Sequence, residues 1–171
     1  MPVEFVVGDD KTDAAAATEE ARRLIEVEGV AAIVGPLASG ITIAVAESIA
    51  GPAEVIVISP SATSPAVTGA NDSDFLFRST TSDAAQGVIL ADLAKADGIE
   101  KVGVLYLDDA YGQGLADAFE AAFGAENVAK AAFQDGSASY LAELQAAAAG
   151  GAETLVAIGY PTQAQIFIRE A

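Results

Sequence analysis

The sequence predicts an α/β protein built on doubly wound parallel sheets, with helices on both faces of each sheet. Three observations predict it. Short Val/Ile/Leu runs alternate along the chain with Ala-rich amphipathic segments, the pattern of repeated βαβ units. Most of these runs are continuous, as expected of parallel strands buried on both faces. Hydrophobic residues make up 52% of the 171, enough for a sizeable core. No apolar stretch approaches the roughly 18 residues that span a bilayer; the longest, Ile41 to Ile49, is interrupted by Thr42 and Glu47.

Strands are expected at Val3–Gly8, Val30–Gly35, Val55–Ser59, Phe75–Arg78, Val102–Leu107, Val128–Phe133 and Thr154–Gly159. Helices are expected at Asp13–Glu28, Ser39–Ala50, Asp83–Ala96, Gly112–Phe123, Tyr140–Ala149 and Gln163–Glu170. Asp83 with Gln86, and Thr162 with Gln165, have capping-box spacing. From Ser59 to Ser82 the alternation stops: prolines, Asn/Asp turn signals and one short strand replace the helix. Such a stretch carries a chain from one lobe to another. With the crossover near Arg78–Thr81, the lobes are 1–80 and 81–171.

The charge is one-sided: 25 acidic against 8 basic residues give a formal net charge of -17. Such a surface repels nucleic acid and anionic lipid, because phosphate binding needs clustered Lys and Arg. Its plainest role is solubility or adaptation to a salty milieu. The absence of Cys removes disulfides and thiolate chemistry, and the absence of His removes the commonest general base and transition-metal ligand. No catalytic residue, cofactor or metal is therefore expected. Met1 runs directly into a strand-like segment without a secretory leader; either the protein is cytosolic or its leader lies outside these residues.

Ligands of open α/β sheets sit beyond the carboxyl ends of the strands. Those ends include Gly8–Asp10, Gly35–Gly40, Ser59–Thr63, Leu107–Gly112 and Gly159–Thr162, and none of the five carries a basic residue. Ser39 stands just before a helix, where its hydroxyl and the first-turn N–H groups suit a carboxylate; the same serine also reads as a plain N-cap. Ser61 and Thr63 add hydroxyl and amide donors, or form a Ser/Thr turn beside Pro60 and Pro65. Tyr111-Gly112-Gln113-Gly114 opens another helix. Asp117 stands where a dinucleotide fingerprint needs its third glycine, so these glycines read as easing a helix start, with Tyr111 free to cover a small ligand. Asp9, Asp10, Asp108 and Asp109 read as loop carboxylates or caps, since neither a receiver-type set nor a dense calcium loop accompanies them.

Taken in order, GVAAIVGPLASGITIAVA, VIVISPSATSPAVTG, FLFRSTTSDAAQG, KVGVLYLDDAYGQGLADAF and YPTQAQIFIREA resemble the periplasmic leucine/isoleucine/valine-binding proteins of ABC uptake systems. The resemblance implies the type I periplasmic-binding-protein fold, with two lobes that close about a hinge on an amino acid or related small carboxylate or amide. It implies that Ser39 holds the ligand carboxylate, together with an amide of Ser61 or Ala62 and the Thr63 hydroxyl. Tyr111 and Tyr160 are the matching aromatics. It implies a membrane permease as partner and a periplasmic or extracellular location, free or lipid-anchored. Relatives carry a strand, a loop and a helix before the position of Val3 and continue past that of Ala171. Both lobes are thus expected to be incomplete, with Val3–Gly8 either separated from Val30–Gly35 or paired with it. Unpaired apolar edges favour self-association. Ligand identity is expected to depend on residues beyond these 171, since relatives of this framework take amides and aromatic acids as well. The same fold also serves ligand-sensing regulators, and an α/β enzyme would need a base other than His.

Overall fold

A computed structural model describes residues 2–171. The chain forms two compact units, one running to Thr81 and the other from Ser82 to Ala171.

The first unit holds a parallel sheet ordered β1-β2-β3, with β1 Ala32–Val34, β2 Ile56–Ser59 and β3 Leu76–Arg78. Helix α1, Ala14–Glu26, starts where Asp13 Oδ1 accepts the Ala16 N–H at 2.8 Å. Helix α2, Ser39–Val45, continues as a π-helical turn over Ala46–Ala50. Ala17 and Ala21 of α1 pack on Ile41, Val45 and Ile49, and Val57 of β2 lies beneath Ala50. The Ser59–Ser82 stretch contains a short 3-10 turn, Pro65–Gly69.

Two expectations fail in this unit. Val3–Gly8 forms no strand and pairs with none among the described residues, and it is exposed. An apolar run becomes a strand only where a neighbour takes its N–H and C=O groups, and among the described residues β1 pairs with β2 alone. The continuous run of β2 is also not buried on both faces. Val57 and Ser59 are covered by helices, whereas Ile56 and Ile58 are exposed beside Val34 (75% exposed) and Phe77 (52%). Register places Val34, Ile58 and Phe77 side by side on this face; both helices lie on the other.

The second unit holds a parallel sheet ordered β5-β4-β6, with β4 Val102–Leu107, β5 Val128–Phe133 and β6 Thr154–Ile158. Helices α3, Asp83–Ala96, and α4, Ala110–Phe123, cover one face through Ala91, Leu115, Phe119 and Phe123 over Val102 and Val104. Helices α5, Leu141–Ala147, and α6, Pro161–Glu170, cover the other through Tyr140, Leu144 and Phe167 over Leu105 and Leu107. This sheet is wound on both faces, as its sequence predicts.

Glycine permits close backbone contacts here, two of which seat helices. A Cβ on Gly87 would lie 2.6 Å from the Ala118 and Phe119 backbone, so this glycine lets α3 approach α4. A Cβ on Gly112 would lie 2.1 Å from the Leu107 carbonyl oxygen, so this glycine seats the start of α4 on β4. Both expected capping boxes shift. Ser82 caps α3, its Oγ accepting the Ala84 N–H at 3.3 Å, and Asp83 is the first helical residue. Helix α6 starts at Pro161, whose missing N–H costs nothing there, and Gln163 Oε1 accepts the Tyr160 N–H at 3.0 Å.

Candidate functional site

In the first unit, the loops after β1 and β2 are joined by hydroxyls. Ser59 Oγ donates to the Pro36 carbonyl at 2.6 Å and accepts the Ala62 N–H at 3.1 Å. Thr42 Oγ1 lies 3.0 Å from the carbonyls of Pro36 and Ala38. Ser61 is exposed, and its Oγ donates to the Leu37 carbonyl at 2.9 Å. These contacts use the Ala62 N–H and the Ser61 hydroxyl within the protein.

Ser39 is 2% exposed and is the first helical residue of α2. The N-cap position belongs to Ala38, so the plain-cap reading of Ser39 does not hold. Its Oγ instead accepts the Ser64 N–H at 3.2 Å, a contact between residues 25 apart in the chain. Thr63 is half-buried, and among the described residues neither its N–H nor its hydroxyl has a protein partner. The unit therefore brings Ser39 and the Ser61–Ser64 loop together, with Thr63 contributing two uncommitted donors. Nothing basic is needed to bind a carboxylate this way; N–H and O–H donors suffice.

Sequence reasoning missed two residues that build this loop. Ser59 joins the two strand ends, and Arg78 donates to the carbonyls of Thr63 and Ser64 at 3.1 and 2.8 Å. The available signal for Arg78 was a lone cation closing an apolar strand.

In the second unit, the loops after β4, β5 and β6 are joined by carboxylates. Gln134 donates to Asp108 at 2.7 Å, Gln163 donates to Asp135 at 2.5 Å, and the Tyr160 phenol is hydrogen-bonded to Asp109. Asp109 Oδ1 also caps α4, accepting the Gly112 N–H at 2.7 Å. This cap places α4 two residues earlier than its expected start at Gly112. Tyr111 and Tyr160 meet with ring centroids 5.6 Å apart and planes tilted by 31°, forming a half-buried aromatic surface at the strand ends. The sequence reads Asp109 as a loop carboxylate or cap, which it is, but does not reveal its bond to Tyr160 or the role of Gln163.

The electrostatics follow from this packing. Burial pushes the Asp109 carboxyl above its ordinary range, and Asp108 adds to the rise, while the Gly112 and Tyr111 N–H groups and the Tyr160 phenol oppose it. Burial, followed by the Asp109 charge, pushes Tyr160 up to about 12. Tyr111 also rises, first through burial and then through the charges of Asp83 and Asp109.

Other features do not coincide with these residues. A cavity of about 380 Å³ lies among Leu141, Leu144, Leu155 and Glu170, and includes none of the candidate residues. Asp9 and Asp10 accept the N–H groups of Lys11 and Thr12 at 2.9 and 2.8 Å, as turn caps do. Among the described residues, no group of three or more His, Cys, Asp or Glu is placed to hold a metal ion, and no helix is long and apolar enough to cross a membrane.

Comparison with known proteins converges on one family. The family model described as periplasmic binding protein matches residues 1–171. The chemotactic signal transduction system substrate-binding protein BasB of Halobacterium salinarum is 32% identical over 93% of this chain and 40% of its own length. The leucine-binding protein LivK of Thermotoga maritima superposes with a TM-score of 0.89 at 29% identity, over 98% of this chain and 48% of its own. The branched-chain amino acid transporter substrate-binding protein LivJ of Streptococcus pneumoniae, solved with isoleucine, gives a TM-score of 0.78 at 33% identity, over 94% of this chain and 46% of its own. The chain thus spans less than half the length of these relatives. With the fold, the ordered motifs and the full-length match in agreement, the chain belongs to the periplasmic binding protein family.

Proposed function

We propose that the chain is part of a solute receptor of an ABC uptake transporter, in the periplasm or outside the cell. It captures an amino acid of the branched-chain type, or a related small carboxylate or amide, without a chemical step. The observation that carries this reading is the pairing of the Ser39 hydroxyl with a loop whose Thr63 N–H and hydroxyl have no protein partner among the described residues. Uncommitted donors beside a buried hydroxyl suit the two oxygens of a carboxylate. The Tyr111–Tyr160 surface is the apolar feature at the strand ends of the second unit, of a kind suited to cover an apolar side chain. Leucine and isoleucine in the descriptions of LivK and LivJ support the choice of solute.

Thermal unfolding with a panel of small amino acids and carboxylates tests this. A ligand at a hundred times its Kd stabilises the folded state by about 2.7 kcal/mol, a clear rise in Tm. Hydrolase and transferase substrates should show no turnover. A turnover number abolished by one carboxylate substitution would overturn the receptor reading. A second reading is delivery of the bound solute to a sensory system, as the description of the halobacterial relative suggests. Affinity purification would decide by recovering either a permease or a signalling receptor.

A further inference from the structure

Arg78 closes β3 and is the only basic residue between Arg23 and Lys95. Its Nη1 lies 3.4, 3.1 and 2.8 Å from the carbonyl oxygens of Ala62, Thr63 and Ser64. Its Nη2 donates to Thr68 Oγ1 at 2.6 Å. Three successive carbonyls at one nitrogen mean that the loop curls around the cation. The peptides concerned are trans. In a trans peptide the N–H points opposite to the carbonyl it is joined to. Carbonyls of Ala62 and Thr63 turned toward the guanidinium therefore turn the N–H groups of Thr63 and Ser64 away from it. The third carbonyl, of Ser64, precedes Pro65, which has no N–H to direct.

One of the two directed N–H groups is seen at its target: that of Ser64 meets Ser39 Oγ at 3.2 Å. The other, of Thr63, is the uncommitted donor beside it. We infer that Arg78 is a positioning residue for anion capture. It does not touch the ligand; by gathering three carbonyls it presents the Thr63 and Ser64 N–H groups on the opposite side of the loop. Its positive charge lies behind peptide dipoles whose positive ends point toward the incoming carboxylate, so charge and geometry act in the same direction. A guanidinium suits this task because it is permanently charged and presents several donors from a rigid plane, whereas a lysine is a point charge on a flexible stem. The inference rests on the carboxylate reading above and adds to it the source of positive potential in a loop that has no basic residue of its own.

Two measurements on Arg78→Gln and Arg78→Lys test it. The first needs no ligand: amide hydrogen exchange by NMR. The Ser64 N–H should exchange at least tenfold faster in Arg78→Gln and by a smaller factor in Arg78→Lys. The Val57 N–H, bonded to the Phe75 carbonyl, should stay protected and report an intact sheet. Unchanged Ser64 exchange in a folded Arg78→Gln chain overturns the inference and leaves the carboxylate reading untouched. If Arg78→Gln loses Val57 protection, Arg78→Lys decides by the same criterion. The second is calorimetric titration of L-isoleucine and L-isoleucinamide. Arg78→Gln should lose at least tenfold in affinity for the acid and several-fold less for the amide. Equal losses would make Arg78 a loop support only and overturn its anion-directed role. A wild-type chain that binds neither probe overturns the carboxylate reading and, with it, the role of Arg78 in capture.

Discussion

Strands β2 and β4 are each the middle strand of a three-stranded parallel sheet, and each is a continuous apolar run. Their surroundings differ. Val102, Val104, Leu105 and Leu107 of β4 are all buried, because α3 and α4 cover one face and α5 and α6 the other. In β2 only Val57 and Ser59 are buried, while Ile56 and Ile58 remain exposed. The strand-end loops differ in a parallel way. Those of the first unit are joined by hydroxyls, carbonyls and one guanidinium, and those of the second by the carboxylates of Asp108, Asp109 and Asp135. An apolar run therefore identifies a strand without saying how many faces are covered. The chemistry of the loops separates a unit whose strand ends are joined through carboxylates from one whose strand ends are joined through hydroxyls and carbonyls.

The largest expected effect is in the doubly covered sheet. Phe119 is 0% exposed and stacks on Phe123 with centroids 5.4 Å apart. Phe119→Ala should cost about 3–5 kcal/mol in urea unfolding, through lost burial and the cavity left behind. A cost below about 1 kcal/mol would mean that α4 is not packed as described.

A matched pair of substitutions sharpens the contrast between the sheets. Val104→Thr buries a hydroxyl among apolar side chains at a position 0% exposed, and should cost about 1–3 kcal/mol. Val34→Thr, at a position 75% exposed, should change stability by no more than about 0.5 kcal/mol. Equal costs, read from urea midpoints, would show that the bare face of the first sheet is covered in solution.

Asp109 gives a smaller, pH-dependent effect. Its folded pKa lies above the ordinary 3.8, chiefly through burial. Just above pH 3.8 the folded chain therefore holds this proton more tightly than the unfolded chain does. The contribution of Asp109 to stability then falls as pH rises through the raised folded pKa, and levels off beyond it. Asn does not titrate and keeps an acceptor for the cap. The stability of Asp109→Asn relative to wild type should thus rise over that window and then plateau. A flat or falling difference would contradict the burial of this carboxyl.

The smallest effect is spectroscopic. The chain has four Tyr and no Trp, so tyrosinate absorbance reads the phenols without interference. The Asp109 charge and its hydrogen bond both hold the Tyr160 phenol up. Asp109→Asn should move part of the alkaline titration to lower pH, and Tyr160→Phe should remove that part. An Asp109→Asn titration curve identical to wild type would show that Tyr160 and Asp109 are not in contact.

Much of the second unit is legible in sequence. Val102–Leu107 and Val128–Phe133 carry their own boundaries, since charged or turn residues flank both runs. Asp83–Ala96 is likewise bounded, by Ser82 before it and Asp97-Gly98 after it. Val3–Gly8 has equal strand composition, but strand identity belongs to the pair rather than the run, and composition does not report the partner. In the candidate site, residue types at strand ends suggested Ser39, Thr63 and Tyr111 because donors and aromatics are recognisable by type, whereas Tyr160 came only from the family resemblance. What remained hidden is long-range. The Ser39–Ser64 contact, the Arg78 clamp and the Gln163–Asp135 bond join residues 25, 14 and 28 positions apart, and no local pattern encodes such distances.

The central claim is that Ser39 and Thr63 hold a ligand carboxylate. Calorimetric titration of L-isoleucine into the wild-type chain, Ser39→Ala and Thr63→Ala tests it most directly. A hydrogen bond to a charged group contributes about 1.5–3 kcal/mol, so each variant should bind roughly tenfold more weakly or worse. Unchanged affinity in both variants would contradict the account.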